Sequence, residues 1–152
     1  MSPTARPAIE IHDWAHAAPH AIPLRTQVFV REQGVPPEIE LDALDSLSRH
    51  ALAFGPDGQV LGTGRLLPDG HIGRMAVDAG WRGRGVGGAV LEALVAEAAR
   101  CGLQRVVLNA QVPALGFYRR HGFVEEGQVF VEAGILHRRM WRAIGAAEGG
   151  HG

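Results

Sequence analysis

The sequence contains no lysine, since all fifteen of its Lys+Arg residues are arginine. An enzyme that forms a Schiff base needs a lysine amine, and a P-loop of the Gly-Lys-Ser/Thr type also needs a lysine. Serine is nearly absent, with only Ser2, Ser46 and Ser48, and no Gly-x-Ser-x-Gly segment occurs. Schiff-base enzymes, P-loop proteins and α/β-hydrolases are therefore excluded.

Cysteine, long apolar runs and net charge are also scarce. The single cysteine, Cys101, permits no internal disulfide. No apolar run approaches the roughly 18–20 residues of a membrane span, and Met1 to Pro7 lack the apolar core of a signal peptide. A net charge of -1 gives no bulk attraction to nucleic acid or to membranes. These features predict a cytoplasmic protein that binds neither nucleic acid nor a membrane.

The length of 152 residues fits one domain with a proper core. We predict a single domain over residues 1–144 and a flexible small-residue tail over residues 145–152. Hydrophobic spacing and turn residues predict strands at Ala8–Trp14, His50–Gly55, Gln59–Leu67, His71–Val77, Arg105–Ala110, Phe123–Glu132 and Leu136–Arg142. Helices are predicted at Leu24–Gln33, Gly85–Cys101 and Val112–His121. This pattern indicates a mixed sheet with helices on both faces, of the α/β or α+β class.

The most informative stretch runs from Trp81 to Ala89, Trp-Arg-Gly-Arg-Gly-Val-Gly-Gly-Ala, between a predicted strand and the longest predicted helix. Glycines let a ligand approach the backbone closely. The first N–H groups of a helix have no partner within it, and the helix dipole makes that end positive. Arg82 and Arg84 add charge. The stretch therefore predicts an anion site, most naturally for a phosphate or pyrophosphate.

Two familiar phosphate-binding motifs do not fit this stretch. Gly83-x-Gly85-x-x-Gly88 matches a dinucleotide fingerprint, but that motif needs an acidic residue about 20 positions later, and residues 108–111 read Leu-Asn-Ala-Gln. It should also open a parallel βαβ series, whereas here it follows a predicted antiparallel meander. A kinase-like glycine loop lacks its lysine.

A third motif accounts for the strand, the Gly/Arg turn and the helix together. Arg82-x-x-Gly85-x-Gly87, after a strand and opening a long helix, resembles the acetyl-CoA site of the GNAT N-acetyltransferase superfamily. Phe117-Tyr118-x-x-x-Gly122-Phe123 resembles that family's second hallmark. The segments Arg25 to Gln33 and Ala133 to His137 are further similar to the small stand-alone bacterial YjcF/ElaA-like branch. The resemblance implies a GNAT fold: a twisted mixed sheet of about six or seven strands, splayed in the middle, with helices on both faces.

The resemblance also implies where acetyl-CoA binds. The pyrophosphate would lie on the turn, at Arg82, Gly83, Arg84, Gly85, Val86, Gly87, Gly88 and Ala89. The pantetheine arm would pair like an extra strand with Met75, Ala76 and Val77. Tyr118 is the expected general acid, because a phenol with a pKa near 10 can protonate the departing thiolate.

The acceptor side is less defined. Asn109 is expected at a strand end beside the thioester, where its oxygen would orient an amine, and we group it with Tyr118 as catalytic. The general base stays open among Glu38, Glu40, Asp42 and His137. The residues assigned to substrate binding are Arg25, Glu32, Glu40, Asp42 and His137.

The predicted reaction is direct acetyl transfer from acetyl-CoA to the amine of a small molecule. An acidic loop, Glu38 to Asp45, would attract a cationic amine such as an amino sugar, whereas Arg25, Arg31 and Arg65 would suit an amino-sugar phosphate. Alternatives are acetylation of a peptide or protein amine, and a non-catalytic acyl-CoA-binding or regulatory module. No metal is predicted, since His12, His16 and His20 lack a completing ligand. The resemblance is compatible with a homodimer, because many members of the family dimerise.

Overall fold

The computed structural model describes residues 7–144, so the tail predicted for residues 145–152 lies outside the described residues. The strands are β1 (Ala8–His12), β2 (Arg49–Phe54), β3 (Val60–Leu66), β4 (His71–Val77), β5 (Arg105–Gln111), β6 (Val124–Glu132) and β7 (Ile135–Ala143). The α-helices are α1 (Trp14–Arg25), α2 (Pro37–Glu40), α3 (Val86–Arg100) and α4 (Leu115–Arg120). A π-helical segment, Thr26–Glu32, continues α1, and short 3-10 turns lie at Asp45–Leu47, Ala79–Trp81 and Val112–Ala114.

All seven strands form one sheet in the order β1-β2-β3-β4-β5-β7-β6. Neighbours are antiparallel except β4 and β5, which are parallel. The predicted strands agree with this sheet to within about three residues at each end. The mixed, splayed α/β architecture expected from the sequence is therefore confirmed. Within residues 7–144, no helix is both long and apolar enough to cross a membrane.

The first helix is where the sequence prediction was wrong. β1 ends at His12, and α1 begins at Trp14 rather than near Leu24, with Asp13 as its N-cap accepting a hydrogen bond from the His16 amide at 3.0 Å. Pro19 and Pro23 lie inside this helix, although proline removes a helical hydrogen bond. Ala17 and Ala21 are fully buried in a cluster with Leu52, so packing against the sheet outweighs the poor local propensity.

Close packing of α3 on the sheet depends on two glycines of β3. A Cβ on Gly62 would lie 2.7 Å from Val86 Cγ1, and a Cβ on Gly64 would lie 2.9 Å from Leu94 Cδ1. The apolar face of α3 is buried there, with Val90 and Leu94 fully inaccessible. This contact fixes the N-terminus of α3 beside the end of β4.

The centre of the sheet is splayed. β4 and β5 pair only through His71 with Val107 and Ile72 with Leu108. Beyond these pairs the strands separate, and no described strand pairs with β4 on its β5 side. The register between β3 and β4 shifts at this level, where Arg74 adopts a left-handed φ of 50°. Such a bulge bends a strand and redirects its side chains, so β4 turns away from β5.

Candidate active site

A cavity of about 600 Å³ opens at the splay. β4 and β5 contribute Met75 and Asn109 to its lining, α4 contributes Tyr118, and the β6–β7 hairpin contributes Glu132 and His137. The segment from Val35 to Leu44, which we call the covering segment, lies on the opposite side of the cavity and contributes Glu40, Asp42 and Leu44 to the lining. The cavity therefore brings the separated strands together with Tyr118, Asn109 and His137, whereas no residue from Arg82 to Ala89 lines it.

The Gly/Arg turn lies at the end of β4, as predicted. Gly83 and Gly85 have φ values of 75° and 87°, a left-handed conformation that disfavours side chains. Gly85 is the N-cap of α3, and the first helical bond runs from the Ala89 amide to the Gly85 carbonyl at 3.1 Å. The amides of Val86, Gly87 and Gly88 consequently have no partner within the helix, which leaves donors for an anion.

The two arginines of the turn are already engaged. Arg82 donates to the Val77 carbonyl at 3.1 Å and to Glu32 Oε1 at 2.8 Å. Arg84 lies over the Trp81 ring, with its guanidinium carbon 4.1 Å from the ring centroid. Glu32 does not line the cavity, so its position supports a role in holding Arg82 rather than direct contact with an acceptor.

Tyr118 lies on α4 and faces the cavity. Its ring packs edge-on against Phe117 and Phe123, at centroid distances of 5.0 and 5.9 Å. The hydroxyl makes no hydrogen bond to any residue between 7 and 144. Burial raises the pKa of Tyr118 to about 12, because a low-polarity environment disfavours the phenolate. The group therefore remains a proton donor throughout the neutral range.

Asn109 lies near the end of β5 and donates from Nδ2 to Glu132 Oε1 at 3.2 Å. Glu132 is held there by the tight turn between β6 and β7, in which Ala133 and Gly134 have φ values of 52° and 76°. Two consecutive positive φ angles are the signature of a two-residue type I′ hairpin turn. The turn thus places the Glu132 carboxylate beside Asn109, the residue that the sequence predicted to orient the amine.

His137 is 6% exposed and also lines the cavity. Its Nδ1 lies 2.7 Å from the Ile135 carbonyl oxygen. A carbonyl only accepts, so Nδ1 carries the hydrogen, and in the neutral form of the ring Nε2 is an acceptor. The ring stacks with Phe130 at a centroid distance of 5.9 Å, which fixes its orientation.

Paired arginines and carboxylates join the covering segment to the sheet, and of these Arg25, Glu40, Asp45 and Arg65 are buried. We call them the ion cluster; its members are Arg25, Glu40, Asp42, Asp45, Arg65 and Arg74. Arg25 donates to Glu40 Oε2 at 2.7 Å and to Asp45 Oδ1 at 2.8 Å. Arg65 bridges Asp42 and Asp45 at 2.7 and 2.9 Å. Three guanidinium groups face three carboxylates, so the cluster is formally neutral.

The cluster lowers the pKa of two of its carboxyl groups, Asp45 and Asp42. Burial by itself would raise the pKa of Asp45, but the hydrogen bonds and charges of Arg25 and Arg65 outweigh it and hold that pKa below its ordinary value. The pKa of Asp42 is likewise lowered, since Arg65 and Arg74 outweigh the burial. Both groups are therefore ionised at neutral pH.

These contacts change the interpretation of three predicted substrate residues. Arg25 is 1% exposed, does not line the cavity and has its donors occupied, so the assignment to direct substrate contact is not supported by its position. Glu40 and Asp42 do line the cavity, but their oxygens bind arginines, so a role as general base is disfavoured for both.

Some of the residues that line the cavity were not predicted from the sequence. Glu132 gave no local signal, because its place depends on the pairing of β6 with β7. Gln33 and Gln111 bond reciprocally, at 2.9 and 3.4 Å, across 78 residues of sequence. Arg74 lies within a strand that was predicted, but its left-handed φ was not. In residues 7–144, no three His, Cys, Asp or Glu side chains come together as metal ligands.

Residues 20–143 match the family described as acetyltransferase (GNAT) domain. The chain is 39% identical over 123 residues to the uncharacterized N-acetyltransferase YjcF of Bacillus subtilis, covering 78% of this chain and 87% of that one. Its fold is similar to the crystal structure of an acyl-CoA N-acyltransferase from Pseudomonas aeruginosa, with a TM-score of 0.80, 34% identity and coverage of 90% and 99%. Escherichia coli ElaA gives a TM-score of 0.79, 26% identity and coverage of 89% and 99%.

The chain therefore belongs to the GNAT acetyltransferase family, which uses acyl-CoA, and it is an acyltransferase. The similarity to YjcF and ElaA also confirms the small stand-alone bacterial branch inferred from the sequence.

The ion cluster predicts a specific effect of pH on stability. Because the pKa of Asp45 is lowered, its charged form stabilises the fold above the ordinary value of 3.8, and that stability is lost as the pH falls through the folded-state pKa. Asp45→Asn removes the negative charge that pairs with the buried Arg25 and Arg65. It should therefore lower the free energy of unfolding at pH 7 by about 3 kcal/mol.

Urea unfolding at pH 7 and near pH 3 measures this effect. The difference between wild type and Asp45→Asn should shrink in acid. Asp57→Asn, in an exposed turn, is the control and should change stability by less than about 0.5 kcal/mol. An equal loss for Asp45→Asn at both pH values would show that its charge does not stabilise the cluster.

Proposed function

We propose that the protein is an acetyl-CoA-dependent N-acetyltransferase that moves acetyl directly to the amine of a small molecule, in the cytoplasm predicted from the sequence. The observation that carries the proposal is the cavity, which Tyr118 lines together with the separated ends of β4 and β5. A carbonyl carbon held there would be open to an amine on one side and to the phenol on the other.

The donor would use two sets of main-chain donors. The free amides of Val86, Gly87 and Gly88 suit the pyrophosphate of CoA, with the helix dipole adding to the attraction. The unpaired side of β4, over Met75, Ala76 and Val77, suits the amides of pantetheine, which would extend the sheet as a short strand. The gap between β4 and β5 would hold this arm.

Gly87 offers a direct test of donor binding. A Cβ there would lie 3.5 Å from Val77 and 3.6 Å from Phe117, which are ordinary contacts, so a small side chain should not disturb the fold. Gly87→Asp places a negative charge in the first turn, which favours the helix but repels a pyrophosphate. Its Kd for acetyl-CoA, measured by calorimetry, should rise at least about tenfold.

Gly87→Asn is the matched control, since it has nearly the same shape without the charge. Its Kd should stay within about threefold of wild type, and the gap between the two variants should narrow as salt is added. Equal affinities for the two variants would argue against an anion at this helix terminus.

The proposed chemistry conserves protons at each step. The ammonium of the acceptor gives one proton to His137 Nε2, and the neutral amine attacks the thioester carbonyl, forming the C–N bond. The tetrahedral intermediate collapses with cleavage of the C–S bond. Tyr118 donates its proton to the departing thiolate, and the proton lost by the amide nitrogen restores the phenol. The products are the acetylated amine, CoA thiol and the proton first taken by His137.

Tyr118→Phe should separate chemistry from binding. Loss of a general acid lowers rates by roughly 10²–10⁴-fold, so kcat should fall by at least about 100-fold. The Kd for acetyl-CoA should stay within about twofold, since the ring and its packing are kept. An acetyl-CoA consumption assay with a panel of amines and amino sugars measures kcat, and calorimetry measures the Kd for acetyl-CoA. Turnover that is unchanged would remove Tyr118 from the mechanism.

The same assay addresses the alternatives. Thioester hydrolysis that no amine stimulates would favour a non-catalytic acyl-CoA-binding or regulatory module, and Tyr118 facing the cavity disfavours that alternative. Peptide amines included in the panel would reveal acetylation of a peptide or protein. Both an amino sugar and an amino-sugar phosphate fit a cavity of about 600 Å³ by size, so charge must decide between them.

A further inference from the structure

We infer that the acceptor is a cationic amine without an anionic group, and that Glu132 receives its ammonium. The inference deepens the proposed function and rests on it. It follows from the charges that line the cavity, because the arginines there are paired within the protein, whereas one lining carboxylate has no cationic partner among residues 7–144.

Arg65 is unsuited to bind a substrate anion. Its side chain is 6% exposed, and both of its terminal nitrogens bond to Asp42, one of them also to Asp45. Its Nε is buried away from solvent without a hydrogen-bond partner among residues 7–144, so an acceptor that stays within the open cavity does not reach it. Displacing the carboxylates would leave buried charges uncompensated, which is strongly unfavourable.

Arg74 is the second arginine of the lining, and it is tied to the covering segment. It donates to the carbonyls of Ile39 and Glu40 at 3.2 and 2.9 Å and to Asp42 Oδ2 at 3.2 Å. A phosphate or carboxylate approaching Arg74 would therefore also meet the Asp42 carboxylate. The attraction and the repulsion offset each other, and the anion would gain little.

Glu132 differs from the other carboxylates of the lining. Glu40 and Asp42 each pair with arginines, whereas Glu132 has no cationic partner in the described part of the chain. Its contact is the neutral amide of Asn109, which donates at 3.2 Å and holds the carboxylate at the cavity. The ion cluster is neutral, so Glu132 makes this region of the cavity negative.

The neighbouring groups also match an ammonium by hydrogen-bond type. Asn109 uses its Nδ2 on Glu132 and keeps its Oδ1 as an acceptor, and His137 presents Nε2 as an acceptor. Asn109, Glu132 and His137 lie on β5, β6 and β7, which are adjacent in the sheet. An ammonium has three N–H donors and no acceptor, so it complements a set of three acceptors.

Matched pairs of acceptors test the inference. 2-Phenylethylamine is compared with phenylalanine, and glucosamine with glucosamine 6-phosphate, so that each pair differs by one anionic group. Wild type should show kcat/KM at least about tenfold higher for the anion-free member of each pair. Glu132→Gln should lower kcat/KM for the anion-free amines about tenfold, mainly through KM. Glu132→Arg should abolish or reverse the preference within each pair.

Asp57→Asn is the control, because Asp57 is an exposed acid of the turn between β2 and β3, outside the cavity lining. It should leave all four kcat/KM values within about twofold, which separates a local effect of Glu132 from overall charge. A salt titration should weaken the effect of Glu132→Gln only partly, since Glu132 would bind the ammonium directly.

Equilibrium binding of the same four compounds to CoA-loaded protein distinguishes the two proposals. Selective binding of the anion-free amines without acetylation by acetyl-CoA would overturn the proposed function and leave the inference standing. Acetylation that is as efficient for the anionic members would overturn the inference alone. Binding of none of the four, or a selectivity that Glu132→Gln leaves unchanged, would also overturn it.

Discussion

The short pairing between β4 and β5 is the constraint on which the rest of the structure depends. Two residue pairs join these central strands, and a bulge at Arg74 then bends β4 away. A continuous sheet would satisfy these backbone groups and leave no opening. Because the strands separate instead, main-chain donors and a cavity of about 600 Å³ become available in the middle of the fold. The packing of α3 through Gly62 and Gly64 holds the helix N-terminus at the same place.

The ion cluster performs the complementary task on the acceptor side. The covering segment from Val35 to Leu44 has little regular structure, and α2 is a single turn. Arg74 reaches it from β4, the strand proposed to bind the donor, so both sides of the reaction rest on one strand. The cluster thereby makes an irregular segment part of the rigid wall of the cavity. Because the cluster is neutral, Glu132 is the group that we propose sets the charge met by an acceptor.

Much of the fold, and the glycine turn proposed to bind the donor, could be read from the sequence, because the signals there are local. The turn from Arg82 to Gly88 and the segment from Phe117 to Phe123 each carry their sequence signal within a few residues. The helix α1 was misplaced because Pro19 is a strong local signal against helix, whereas the burial of Ala17 and Ala21 that overrides it is tertiary.

The residues proposed to bind the acceptor were harder to predict, because their positions also depend on contacts between distant parts of the chain. Arg25 was assigned to the substrate by its residue type, but its partners Glu40 and Asp45 lie 15 and 20 residues away and bury it. Glu132 reaches the cavity through a hairpin register that no motif encodes. Residue type shows what a side chain can bind, and long-range pairing determines whether another part of the chain binds it first.

The most direct test of this account is a crystal structure of the protein with acetyl-CoA bound. The account predicts the pyrophosphate on the amides of Val86, Gly87 and Gly88, the pantetheine along β4, and the sulfur within hydrogen-bonding distance of the Tyr118 hydroxyl. A nucleotide bound away from this turn, or a sulfur remote from Tyr118, would contradict it.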